Sequence, residues 1–230
     1  TPAHLSLRAH TVCFMRLMHT MGRGMLVGHY RRCIMFSIEI PHAVLELHRF
    51  CSTDESRESL SRIYVGPSTQ VATDGHVLAT CKSELNASLG AKDVVYIPAK
   101  VAKAALVGFK RGSPYFYQVT CDDTGKAINL VVHAGVMDGP VIATHAIDPG
   151  TQELPYPDFT QVIPGEDKIN PVKEIGLDLK LLGVFHAFLK RLGETGGCLF
   201  RFTDSLGPAI SSRTLSDGTE VSFIIMPMNI

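Results

Sequence analysis

Several features are missing from this 230-residue chain, and each absence closes off a class of protein. No two cysteines form a CxxC pair; Cys13, Cys33, Cys51, Cys81, Cys121 and Cys198 lie far apart. Scattered thiols in a chain this long favour a reducing compartment, here the cytoplasm, over a disulfide framework. Without closely spaced ligand pairs, a zinc site is not expected either. Apolar residues make up 45% of the chain, enough for one or two domains with a real core. No apolar run approaches the roughly 20 residues that a membrane-spanning helix requires, so no membrane partner is expected. Net charge is absent too, with 22 basic and 22 acidic residues.

That balance hides an asymmetry. Residues 1–35 have no acid and no lysine, but five arginines: Arg8, Arg16, Arg23, Arg31 and Arg32. The remainder then holds 17 basic against 22 acidic residues, and so is acidic overall. An acidic body argues against wrapping DNA with the whole surface, yet it permits a single basic face. The first 35 residues show neither a strand nor a helix period. Their Arg-rich, acid-free composition fits an organelle-targeting peptide. The plainer reading, which we favour, is a disordered basic extension or sequence lying ahead of a natural start at Met35.

From Met35 one pattern appears three times. Phe36, Ile38 and Ile40 alternate with Ser37 and Glu39 as in a strand, and Pro41 then opens a helix running to about Cys51. Strands follow near Ile63–Val65 and Thr69–Thr80. The second copy begins with the apolar run Val94–Ile97 and Pro98, followed by a helix to roughly Phe109. Its strands fall near Tyr115–Cys121, Ile128–His133 and Val141–Ala146. The third has Lys173–Gly176, a helix from an Asp178 N-cap to Leu192, and strands at Cys198–Thr203, Ala209–Ser212 and Val221–Met226. A polar segment, Gly165–Pro171, reads as a linker before the third copy. Strand–helix–strands repeated about every 60–70 residues predicts an α+β fold with helices on one side of antiparallel sheet.

Two of the helices have basic polar faces. At 100° per residue, Lys100, Lys103, Lys110 and Arg111 share one arc opposite Val101, Ala102, Ala105, Leu106 and Phe109. Lys180, His186, Lys190 and Arg191 group in the same way on the third helix. Such a face is commonly only a solvated one. Two of them in an otherwise acidic body also suit nonspecific phosphate contact.

Three segments carry more information. In Val71–Ala79, VATDGHVLA, Asp74 and Gly75 make a tight turn. Tyr156–Pro164, YPDFTQVIP, is an extended stretch rich in aromatic and β-branched residues, with a proline near each end. Phe223–Ile230, FIIMPMNI, is an apolar strand whose methionines suit an adaptable binding surface. In this order they resemble the bacterial DNA sliding clamp, the β subunit of DNA polymerase III, which has ATDGHRLA, FPDYRRVLP and VMPMRL in the corresponding places. Val95–Ala105, VYIPAKVAKAA, and Phe200–Ile210, FRFTDSLGPAI, resemble two further family segments, so the likeness covers about residues 36–230.

The resemblance implies a DNA-clamp fold and a non-enzymatic processivity factor without cofactor. Double-stranded DNA would be bound without sequence preference, through Lys100, Lys103, Lys110, Arg111, Lys180, Lys190 and Arg191. Peptides of a DNA polymerase or clamp loader would enter a hydrophobic pocket. Carried over, that pocket comprises Thr73, Gly75, His76 and Leu78, then Pro157 and Val162, then Ile224, Met226, Pro227 and Met228. Residues 36–165 correspond to the family's middle domain and residues 166–230 to the second half of its last. With only three of the family's six half-domains, the usual head-to-tail dimer does not form in the same way, and a different homo-oligomer is expected. Val77, Gln161 and Asn229 replace family arginines, which alters the pocket rim. The alternative is a clamp-derived peptide-binding regulator or decoy that never encircles DNA. A hydrolase using Asp74 and His76, or a metal at His133 and His145, is disfavoured for want of a nucleophile or a further ligand.

Overall fold

A computed structural model describes residues 36–83, 94–107, 115–122, 124–136, 139–165, 168–170 and 175–228. The basic segment 1–35, together with Lys110 and Arg111, lies outside the described residues. Alternating apolar residues set the strands: β1 (Phe36–Ile40), β2 (Arg62–Val65), β3 (Thr69–Thr73) and β4 (Val77–Lys82) in the first repeat. The second repeat supplies β5 (Val95–Pro98), β6 (Tyr115–Cys121), β7 (Ala127–Ala134) and β8 (Val141–Ala146), and the third β9 (Arg201–Phe202), β10 (Ala209–Thr214) and β11 (Glu220–Ile225). Each repeat contributes one helix: α1 (His42–Glu46), α2 (Ala99–Ala105) and α3 (Leu179–Arg191).

Several expectations shift in detail. The first helix is α-helical only to Glu46 and tightens into a 3-10 turn over Leu47–Phe50. Pro41 and Pro98 occupy the N-cap rather than the first helical position, and neither supplies a side-chain cap. The described part of the second helix ends at Ala105. The strand expected at 173–176 is not present at Ile175 and Gly176, and the strand expected from Cys198 shortens to Arg201–Phe202. Gly196 has positive φ, and β9 pairs with β10 only at Arg201 and Phe202. Asp178 caps α3 as expected, its carboxylate accepting from the Lys180 amide at 2.7 Å.

The strands form two antiparallel sheets, ordered β1-β6-β7-β8 and β5-β2-β3-β4-β11-β10-β9. The first two repeats exchange their leading strands: β1 pairs with β6, and β5 with β2. The third repeat joins the first, because β11 lies against β4 from Val77↔Ile225 to Lys82↔Glu220. Period-2 alternation sends Val77, Ala79 and Cys81 into the main core beneath the helices, and Leu78 to the opposite face. At the joint of first and third repeats, Phe185 stacks on Phe223 at 4.3 Å and Phe188 meets Phe50 edge-on at 5.3 Å. The segment expected to be a linker is tied down where it is described. The Asn170 amide donates to the Phe202 carbonyl at 2.7 Å, and its side chain to the Thr203 carbonyl at 3.1 Å.

Candidate functional site

The seven-stranded sheet has two faces of different character. On the face away from the helices, strand register lines up Thr73, Leu78, Ile224 and Ile210 as direct cross-strand neighbours on β3, β4, β11 and β10. Three of these four were expected in the peptide pocket. Ile210 was missed, although its place opposite Ile224 follows once β10 and β11 pair. Leu78 and Ile224 are 4% and 2% exposed and form the floor of a satellite apolar cluster with Val71. Tyr156, Phe159 and Ile163 of the connecting segment, with Tyr64 and Ile169, pack over that floor. Tyr64 meets Phe159 at 5.2 Å and Tyr156 at 5.5 Å.

The turn beside this cluster is locked from within. The Asp74 carboxylate accepts from the amides of His76 at 2.8 Å and Val77 at 3.0 Å. The Thr73 hydroxyl donates to the Val77 carbonyl at 2.6 Å and accepts from the Gly75 amide at 3.1 Å. Gly75 sits at φ 95°, a conformation that L side chains adopt with difficulty. The tail is anchored on both sides, with the Met226 amide donating to the His76 carbonyl and the Met228 amide to the Gly176 carbonyl. His76, Pro157, Val162, Met226 and Met228 are exposed and Pro227 is half-buried, so they form the rim while Leu78 and Ile224 lie below. The three segments quoted from the sequence therefore meet on one face.

On the helix side lies a cleft of about 910 Å³, lined by residues of all three repeats. Arg49 comes from the first, Lys100 and Lys103 from α2, and Lys180 from α3. The α2 lysines are three apart, and Lys180, Gly183, Val184 and Ala187 follow i, i+3, i+4, i+7, so each set occupies one helix face. Asp54 and Glu58 also border the cleft. His48 lies in its wall with Nδ1 2.9 Å from the Leu45 carbonyl. Burial pushes its pKa down; the Leu45 hydrogen bond opposes this, while the Arg49 and Lys103 charges add to it. Lys190 and Arg191 lie in the last turn of α3, roughly 15 Å along the axis from Lys180.

Arg49 of the cleft wall contacts a buried carboxylate. Glu46 is 2% exposed; its Oε2 accepts from Arg49 Nε at 2.7 Å, and its Oε1 lies 3.7 Å from Arg191 Nε and 3.6 Å from His42 Nε2. Burial alone would raise its pKa, but hydrogen bonds from His42 and Arg49 and their charges outweigh this and hold it at about 2. Glu46 and Arg49 belong to none of the sequence motifs. Their i, i+3 spacing was legible, but the burial was not.

Among the described residues, no group of three or more His, Cys, Asp or Glu is arranged to hold a metal. Register sets His133 against Val141 and His145 against Leu130, so the two rings are not cross-strand partners. The Cys51, Cys81 and Cys121 thiols are buried, and burial raises the pKa of each. No helix among the described residues is long and apolar enough to cross a membrane.

No protein-family model matches this chain, and no curated protein matches it. Solved structures do. A DnaN sliding clamp (DNA polymerase III subunit beta) from Bartonella birtlesii superposes with a TM-score of 0.56 at 16% identity, over 90% of this chain and 69% of that one. The beta sliding clamp of Caulobacter crescentus gives 0.55 at 15% identity, over 90% and 68%. The DNA polymerase sliding clamp of Bacillus subtilis gives 0.53 at 17% identity, over 90% and 67%. The chain thus spans a little over two thirds of the length of each. With two antiparallel sheets built from interlocked strand–helix–strands repeats, this chain has the α+β fold of the bacterial DNA sliding clamps.

Proposed function

We propose that this protein is a sliding-clamp-like processivity factor, a non-enzymatic protein that binds double-stranded DNA on its helix side and polymerase-type peptides on the opposite face. The observation that carries this reading is that helix-borne cations border a cleft on one side of the seven-stranded sheet, while apolar side chains cluster on its other face. Lys100, Lys103 and Lys180 border a cleft on the first, and Leu78 and Ile224 floor an apolar cluster on the second. Lysines on helices supply charge to phosphates without reading bases. An apolar floor with a methionine rim suits a short hydrophobic peptide. Lys190 and Arg191 extend the basic face along α3, and Lys110 and Arg111 belong to it by sequence. In this reading residues 36–165 act as a middle-domain unit and residues 166–230 as half of the last domain. Copies assemble to enclose a duplex, in the cytoplasm.

The test is binding of a fluorescent 30-base-pair duplex across a salt series. Each phosphate contact contributes roughly 0.9 to the slope of log K against log salt, so Lys100→Ala, Lys103→Ala and Lys180→Ala together should lower that slope by about 2–3. A triple variant that binds as the unaltered protein does removes the DNA reading. Peptide binding that persists without DNA binding would instead favour a regulator that uses the apolar face alone.

A further inference from the structure

We infer that the cleft is a seat for one phosphodiester stretch of the nucleic-acid backbone, with Arg49 as the fork that grips it and Glu46 as the residue that aims Arg49. This rests on the DNA reading above and adds to it two residues that no sequence motif marked.

Arg49 is held at one side of its guanidinium by a carboxylate. Its Nε donates to buried Glu46 at 2.7 Å, which restrains the plane of the guanidinium, and the residue lines the cleft. A planar fork with two parallel donors matches a phosphate in a way that a flexible lysine does not. The single Glu46 carboxylate also serves Arg191 and His42, so it orders two arginines without cancelling both charges. Lys100, Lys103 and Lys180 supply point charges around the same cleft, and no ion pair is formed by any of them among the described residues.

Asp54 and Glu58 on the lining disfavour a polyanion that fills the whole volume. They favour a backbone passing along the cationic wall. Among the described residues, no aromatic side chain apart from the imidazole of His48 lines the cleft to stack on a base. The ligand chemistry is therefore phosphate and not nucleobase.

The duplex salt series tests this with Arg49→Lys, Arg49→Ala and Glu46→Gln in the full chain, each checked for an intact thermal transition. Arg49→Lys keeps the charge and loses the fork, so affinity should fall roughly 3- to 10-fold with the slope unchanged. Arg49→Ala should lower the slope by about one. Glu46→Gln should weaken binding although it removes a negative charge beside a polyanion, a direction that simple charge subtraction does not produce. If Glu46→Gln fails to fold, the two partly exposed Arg49 variants still decide the matter. The inference is overturned if the unaltered protein binds duplex and both Arg49 variants match it, or if a folded Glu46→Gln binds more tightly. No duplex binding by the unaltered protein would remove this inference and the DNA reading together, whereas duplex binding that both Arg49 variants leave unchanged removes this inference alone.

Discussion

At the scale of single residues, Glu46 couples stability to pH. Its folded pKa of about 2 lies below the ordinary 4.5, so the unfolded chain binds more protons in that interval. The stabilisation is fully present above about pH 4.5 and is lost as pH falls toward 2. Screening of its partly exposed partners reduces the contribution to on the order of 2 kcal/mol. We predict that the stability of the unaltered protein falls between pH 4.5 and 2.5 more steeply than that of Glu46→Gln, as measured by urea unfolding at each pH. Parallel curves for the two proteins would show that the buried carboxylate is not perturbed. His48 adds acid sensitivity of the same sign. Its depressed folded pKa means that stability declines as pH drops below the ordinary histidine value of 6.5. Glu46 and Arg49 were visible as an i, i+3 pair in the sequence, but nothing local showed that Arg191, 145 residues away, would share the carboxylate.

Among the elements, α3 links sequence signals to packing most directly. Its Asp178 cap, its apolar stripe of Phe185, Phe188 and Leu189, and its terminal Lys190 and Arg191 near the helix's negative end are all local features. They were legible because capping and 3.6-residue periodicity act within a few residues. Its docking partner was not legible, since Phe50 and Phe223 reach it only through the tertiary fold. Asp178→Ala removes one capping bond and should cost about 1 kcal/mol. Phe188→Ala empties a buried aromatic site and should cost about 3–5 kcal/mol. Chemical denaturation of both variants checks the ranking; a costlier cap than core phenylalanine would mean that α3 is held by its ends and not by its apolar face. The 3-10 turn after α1 was not anticipated. It tightens the chain at Leu47–Phe50, where Leu47 and Phe50 are both buried and Cys51 is already extended.

For the whole molecule, the joint between β4 and β11 governs how the proposed peptide face is tested. Ile225 pairs with Ala209 and Val77 and is fully buried, so deletion of residues 225–230 disrupts the sheet as well as the rim. Met226→Ala with Met228→Ala is the cleaner change, since both residues are exposed. It should weaken a glutamine- and leucine-containing polymerase-type peptide by about 10-fold or more while leaving the melting temperature within a few degrees. Unchanged peptide affinity in this variant would take the tail out of the binding face.

The proposed assembly would draw on a sheet edge. β8 ends the four-stranded sheet with Val141 57% and Ile142 44% exposed, and an apolar edge strand is a template for further pairing. If copies join there, Ile142→Lys should lower the solution mass measured by light scattering. A variant that keeps the oligomeric mass of the unaltered protein would leave β8 outside the interface. A monomeric unaltered protein at high concentration would favour the regulator reading over the encircling one.

By itself the sequence determined the α+β class, most of the strands, the Asp74–Gly75 turn and the capped α3. These depend on alternation, capping and turn chemistry, whose range is a few residues. Only the tertiary structure decided that the third repeat pairs with the first, that Ile210 completes the row with Leu78 and Ile224, and that Glu46 is buried beneath two arginines. The physical reason is common to all three. Strand pairing and burial are set by contacts between residues far apart in the chain, and many registers satisfy the same local pattern until the whole core is closed.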